Sequence, residues 1–310
     1  MIKYPELTDI ERLQKTQIPT SRRIKVILDT DAYNEIDDQF AIIYAMLSSD
    51  RLDMKAINAA LFYNERSNSP GDGMEKSYNE ICKIMGYLGK RTDGFVFRGC
   101  TSPLKNTETP EHSEAVDNLI RCAKACSDDE PLFVVGIGAC TNIASAIIQN
   151  PDIIKKIVVV WLGGNTYDWV YDNEFNLSQD INAGKVLFDC GVSLIQVPAF
   201  GVTNFLLTSV PELESCIGGV NPLCDYLLEN VKSYRENHFA WSKPIWDIGA
   251  IALLVNPDFV CHKIVNSPVV VSSSSYSFDC RRHLIRCVYR IDRDPVFYDM
   301  FAKLRKFGNP

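Results

Sequence analysis

A short apolar run, Ile24-Lys-Val-Ile-Leu28, leads directly into Asp29-Thr-Asp31-Ala-Tyr-Asn-Glu-Ile-Asp37-Asp38, which puts four aspartates and one glutamate within ten residues. The run is rich in β-branched residues and reads as a buried strand of a parallel sheet. Beyond the acids, Phe40, Ile43, Tyr44 and Leu47 recur at helical spacing. Strand, acidic loop and helix in that order set the carboxylates at the carboxyl end of a strand, where α/β sheets gather binding groups. Carboxylates that converge in a cleft repel one another, so they need solvent or a cation. The N-terminus of the following helix offsets part of that cost. A hard divalent cation held by several oxygens offsets the rest. A solvated loop with a helix-capping Asp is the plainer alternative.

The strand and helix rhythm continues down the chain. Strands are expected at Met54–Phe62, Leu132–Ile137, Ile157–Leu162 and Val192–Val197. Helices are expected through Tyr78–Leu88, at Glu111–Cys126, Asn142–Gln149 and Ile181–Cys190. Polar loops follow two of the strands, at Asn64–Gly73 and Gly163–Glu174, the second crowded with aromatic residues. After residue 200 the rhythm changes. Helices are expected from Pro211 to about Glu236, from Trp246 to Val255 and from Val296 to Lys306, with closely spaced strands at Val260–Val265, Val269–Ser273 and Leu284–Ile291. This pattern predicts an α/β fold: a single open, mostly parallel, Rossmann-like sheet with helices on both faces and antiparallel additions near the C-terminus. No repeat or composition break divides the chain, so 1–310 is expected to be one domain, with the polar residues 1–23 an extension lying on its body.

Composition narrows the function. The formal charge of −7 argues against a nucleic-acid surface. No apolar run is long enough to cross a membrane, and no signal-like segment opens the sequence, so a cytoplasmic location is expected. The eleven cysteines form no CxxC pair and read as reduced, packed residues. Gly136-Ile-Gly138 lacks the third glycine of a dinucleotide fingerprint, and Gly163-Gly164 has no following Lys-Ser or Lys-Thr pair. An EF-hand is disfavoured because its ligand spacing and central glycine are missing. A phosphatase of the haloacid-dehalogenase type would use Asp29 as nucleophile and Asp31 as acid and base, but it gives Asp37 and Asp38 no role.

The segments Val26-Ile-Leu-Asp-Thr-Asp31 and Asp37-Asp38 resemble those of the nucleoside hydrolase family, the inosine-uridine preferring nucleoside N-ribohydrolases. Val135-Gly-Ile-Gly-Ala-Cys-Thr141-Asn-Ile-Ala144, Trp161-Leu-Gly-Gly164, Glu174-Phe-Asn176 and Trp246-Asp247 add to the resemblance and keep the family's order. It implies the nucleoside hydrolase fold, a bound Ca2+, a nucleoside or related N-riboside as substrate, and a homodimer or homotetramer. Carried onto this sequence, it makes Asp31 a calcium ligand and the general base, and Asp38 a bidentate ligand. Thr141 contributes its carbonyl and Asp247 its carboxylate to the same ion. Asp37, Asn64, Glu174 and Asn176 take the ribose hydroxyls, and Leu162 lies beneath the sugar. The implied reaction is hydrolysis of the N-glycosidic bond by inverting attack of a water held by the ion, giving free base and ribose.

This sequence departs from the family in two places. The spacer from Asp31 to Asp37 has five residues, two more than in the best-known members. Several members place a His before the last ligand, where this chain has Trp246, and an indole N–H has no useful acidity near neutral pH. Trp246 is therefore expected to stack on the base, and His238, eight residues upstream, is the candidate acid for its departure. Lys243, Tyr167 and Tyr171 are further candidates for contacting the base. Tyr33, Phe62, Tyr63, Trp169 and Trp241 complete the aromatic set expected near the mouth. A calcium-dependent nucleoside- or ribose-binding protein without turnover is the non-catalytic alternative.

Overall fold

The computed structural model describes residues 2–170, 173–271 and 275–308. Strand β1, Ile24–Thr30, lies inside an eight-stranded sheet. The other strands are β2 (Leu52–Ala59), β3 (Val96–Phe97), β4 (Leu132–Gly136), β5 (Ile157–Leu162), β6 (Ser193–Val197), β7 (Val260–Asn266) and β8 (Leu284–Ile291). The spatial order is β3-β2-β1-β4-β5-β6-β8-β7. Every neighbouring pair is parallel except β8 with β7. The central strands β4, β5 and β6 are buried along their whole length, which explains their unbroken apolar runs.

From β1 the chain steps outward one way to β2 and β3, and from β4 it steps the other way to β5 and β6. Right-handed crossovers then put the connecting helices on opposite faces. Helix α2 (Asp38–Leu47), which joins β1 to β2, packs against α3 (Pro70–Tyr87), α10 (Ile248–Val255) and α11 (Arg293–Lys306). On the other face α5 (Thr141–Gln149) packs against α4 (Glu114–Lys124) and α7 (Ile181–Asp189). The reversal point lies between β1 and β4, and the crevice outside their carboxyl ends is where such sheets bind ligands.

Several expectations are corrected. β1 runs on through Asp29 to Thr30 because Asp29 is paired with Asn58 and Gly136 on either side. The loop expected up to Gly73 ends at Ser69, whose hydroxyl caps α3 by accepting from the Asp72 N–H at 3.1 Å. The antiparallel pairing expected near the C-terminus is present, with β7 antiparallel to β8, although Leu284–Ile291 itself joins the sheet parallel to β6. Val269–Val270 leaves the sheet to pair with Tyr276–Ser277; Ser272, Ser273 and Ser274 lie outside the described residues. The helix expected from Pro211 to Glu236 is two, α8 (Val210–Ile217) and α9 (Pro222–Tyr234), broken at Gly218 and Gly219. The polar N-terminus contains α1 (Asp9–Lys15), closed by a Thr8–Glu11 capping box. Helix α1 packs on β8 and β6, and its buried Arg12 donates to the Gly191 carbonyl at 2.9 Å.

Candidate active site

Asp29 and Asp31 leave β1 on either side of Thr30, and all three are fully buried. Asp29 accepts from Asn142 Nδ2 at 3.0 Å, while Asn142 Oδ1 accepts from the Cys100 N–H at 2.8 Å. Burial pushes the Asp29 carboxyl up to about 7 against that hydrogen bond. Thr30 donates its hydroxyl to Asp38. Neither carboxylate oxygen of Asp31 has a hydrogen-bond partner, although both are buried. The close packing needed there comes from Gly138, where a Cβ would stand 2.8 Å from Asp31 Oδ1.

Asp37 and Asp38 are consecutive at the start of α2, and Asp247 precedes α10, which packs against α2. Neither Asp37 nor Asp247 caps its own helix. Oxygens of Asp37, Asp38 and Asp247 instead come within 4.8 Å of one another, all three buried. Asp31, which the resemblance puts on the ion, falls outside that trio, and Asp37, which it puts on the sugar, falls inside. Burial, then the charge of Asp38 and Asp37, raises the Asp31 carboxyl well above the usual range. Burial raises Asp38 and Asp247 likewise, with the neighbouring carboxylates adding to it. Buried, partner-poor, all-oxygen groups of one charge are a fitting donor set for a hard divalent cation.

A cleft of about 290 Å³ opens beside the trio. Asp37, Asn64, Leu162, Glu174, Asn176, Trp246 and Asp247 all line it. Glu174 caps α6 (Phe175–Gln179) and accepts from the N–H groups of Gly164, Asn176 and Leu177 at 2.7–2.8 Å. Gly164 has φ of 71°, and a Cβ there would run into the Tyr276 hydroxyl, so the tight turn after β5 requires glycine. Asn176 Nδ2 donates to the carbonyls of Leu162 at 3.0 Å and Ile137 at 3.2 Å, which leaves its Oδ1 to accept. Thr141 opens α5 and donates its hydroxyl to Asp180 at 2.7 Å, so the carbonyl is its remaining ligand atom. A larger cavity, about 670 Å³, lies between α1 and residues 128–131; it is lined by exposed charges such as Glu11, Asp128 and Asp129 and lacks the buried carboxylate trio.

The structure keeps other expected groups away from the cleft. His238 holds its ring against the Lys232 carbonyl at 3.1 Å and beside Trp241, and does not line the cleft. Tyr167 donates its hydroxyl to Gln196 at 2.6 Å and packs edge-on against Tyr276 and Phe278. Tyr33 lies under the Arg66 guanidinium, Phe62 is wholly buried and Tyr63 faces solvent. Tyr171 lies outside the described residues. Lys243 is buried and paired with Glu35. Of the aromatic set, Trp246 lines the cleft and meets Phe200 edge-on at 4.9 Å; Phe200 in turn stacks on Trp169. Sequence reasoning missed Phe200, Asn34 and Glu35 in the lining. Phe200 follows the carboxyl end of β6, and Asn34 and Glu35 lie in the lengthened spacer, so position alone could have raised them.

An open parallel sheet whose reversal point carries a buried carboxylate cluster beside a half-enclosed cleft defines a metal-dependent α/β enzyme. The chain belongs to the inosine-uridine preferring nucleoside hydrolase family, whose sequence profile matches residues 26–297. It is 26% identical over 265 residues to the pyrimidine-specific ribonucleoside hydrolase RihA of Escherichia coli O81 (strain ED1a), covering 76% of this chain and 80% of that one. Among solved structures, the plant nucleoside hydrolase PpNRh1 superposes with a TM-score of 0.75 at 20% identity, covering 92% of this chain and 99% of its own. An inosine-guanosine nucleoside hydrolase superposes with a TM-score of 0.73 at 17% identity, covering 91% of this chain and 99% of its own. The protein is an N-glycosyl hydrolase that cleaves the N-glycosidic bond of a nucleoside-type substrate with the aid of a Ca2+ site.

Proposed function

We propose that the chain hydrolyses a ribonucleoside, with Asp38, Asp247, Asp31 and the Thr141 carbonyl as the groups that would hold Ca2+, and with Asp37, which belongs to the carboxylate trio and lines the cleft, as a group that would take a ribose hydroxyl. The observation that carries this reading is the buried trio of carboxylates beside an Asp31 with two unpartnered oxygens, at the edge of one cleft. When bound, Ca2+ supplies positive charge that keeps these carboxylates ionised and orients the ribose hydroxyls and water. Asp31 takes a proton from the attacking water, and the departing base nitrogen takes its proton from solvent water entering the open cleft. Glu174, pinned by three backbone N–H groups, and Asn176, with its oxygen left to accept, hold ribose hydroxyls over Leu162, assisted by Asn64. Positive charge that develops on the sugar ring is stabilised by carboxylates already fixed in place. Trp246 and Phe200 offer aromatic faces to the base.

His238 is left out of this scheme: its ring lies 3.1 Å from the Lys232 carbonyl and beside Trp241 and does not line the cleft. The net charge of −7 supports a small-molecule substrate over nucleic acid, and no helix among the described residues is long and apolar enough to cross a membrane. A homodimer or homotetramer, on the strength of the family resemblance, and a cytoplasmic location complete the reading.

Base release from inosine, uridine, adenosine and cytidine, followed with Ca2+ and after chelation, tests the function. Release of free base that stops on chelation and returns with Ca2+ is expected. Tight nucleoside binding without any base release would instead support the binding protein.

A further inference from the structure

The five-residue spacer between Asp31 and Asp37 is held from several sides. Asn34 N–H donates to the Asp31 carbonyl at 2.7 Å, Gln39 Nε2 to the Ala32 carbonyl at 2.8 Å, and Arg66 to the Glu35 carbonyl at 2.9 Å. Asn64 Nδ2 donates to Asn34 Oδ1 at 2.6 Å. The longest reach is made by the Glu35 side chain, which pairs with Lys243, 208 residues away. Lys243 is 5% exposed. Its ammonium also lies 5.1 Å from the Tyr234 ring centre, and the Tyr234 hydroxyl donates to Glu35 at 3.2 Å.

Lys243 begins the short pairing with Leu207–Thr208, and Ile245 N–H then donates to the Leu206 carbonyl at 2.8 Å. Trp246 and Asp247 follow at once. The carboxylate cluster is therefore assembled from two remote stretches of chain, the Asp31–Asp38 loop and the Trp246–Asp247 segment. Their like charges push these stretches apart, and the Glu35–Lys243 pair ties one to the other at the rim of the cleft.

We propose that Lys243 is a positioning residue: through its pair with Glu35 it holds the Asp31–Asp38 loop against the Trp246–Asp247 segment, so that carboxylates from both share one divalent cation. The proposal rests on the Ca2+ reading of the cluster. It predicts the opposite sign from simple electrostatics. Removing a positive charge beside a cation site strengthens cation binding if charge alone matters. Loss of a brace that orients the ligands weakens it, typically by about 10- to 100-fold.

The test is calorimetric titration of the full chain with Ca2+, for wild type, Lys243→Met, Lys243→Arg, Glu35→Gln and the Glu35→Gln/Lys243→Met pair. The expected result is a Kd for Lys243→Met weaker by about 10-fold or more, a double variant no weaker than the single, and substantial recovery in Lys243→Arg. Circular dichroism checks folding; should Lys243→Met fail to fold, Lys243→Gln, which removes the same positive charge and keeps a polar end to the side chain, decides the question by the same Kd, because charge alone again predicts tighter binding and loss of the brace predicts weaker. An unchanged or tighter Kd on breaking the pair overturns the brace while leaving the Ca2+ site intact. Absence of Ca2+ binding by the wild-type chain overturns the metal reading and the brace with it.

Discussion

Chelating Ca2+ should destabilise the protein most at alkaline pH, and the size of the effect follows from the buried carboxylates. Burial pushes Asp37 from 3.8 up to about 6, with Lys243 opposing the rise and Glu35 adding to it. A carboxyl whose folded pKa lies above its unfolded value carries no penalty below the unfolded value. The penalty grows as pH rises between the two and is complete above the folded value. For Asp37 alone that is about 3 kcal/mol, developed between about pH 4 and pH 6. Asp29 acts in the same direction up to about pH 7. A cation that binds the ionised cluster restores stability, by about 2.7 kcal/mol at a hundredfold excess over its Kd. At roughly 2 °C per kcal/mol for a chain of this size, the two melting curves should differ by about 5 °C. Thermal melts from pH 5 to pH 8, in EDTA and in Ca2+, make the measurement. The midpoint in EDTA should fall as pH rises, and the gap between the two series should widen. Equal midpoints at pH 8, or a gap that closes as pH rises, refute the reasoning.

Two substitutions test the supports of the site. Gly138→Ala places a methyl 2.8 Å from Asp31 Oδ1; displacement of that carboxylate should lower kcat about 100-fold with little change in the far-ultraviolet dichroism, and near-wild-type turnover would show that Asp31 is not where the reaction needs it. Asn142→Leu strips Asp29 of its hydrogen bond and leaves the Cys100 N–H and Ala59 carbonyl without their side-chain partner. Urea unfolding should show a loss of about 3 kcal/mol or more, greater at pH 8 than at pH 5 because only the ionised Asp29 needs the lost donor.

Much of this was legible in the order of residue types. The apolar runs at Leu132–Gly136, Ile157–Leu162 and Ser193–Val197 are strands because a sheet covered on both faces wants no polar alternation. The acids at and after the end of β1 pointed to a cation because five of them within ten residues are costly in a cleft unless they are solvated or neutralised. Less was visible where contact across the fold decides. The capping box that starts α1 and the glycines that separate α8 from α9 are local signals, present in the sequence but overlooked. By contrast, the parallel entry of β8 next to β6 is set by which strand edge remains open once β6 is placed, and no short-range pattern encodes it.

The acidic segment illustrates the division best. Sequence by itself determined that a strand would deliver carboxylates to the carboxyl edge of a parallel sheet, and that they would need solvent or an ion there, because periodicity and charge density are properties of neighbours along the chain. Only the tertiary structure decided which carboxylates meet. Asp37 joins Asp38 and Asp247 because α2 packs against α10. His238 lies against the Lys232 carbonyl, outside the cleft lining, and Glu35 reaches Lys243 across more than two hundred residues. Those pairings depend on distances through space, which spacing along the chain does not specify.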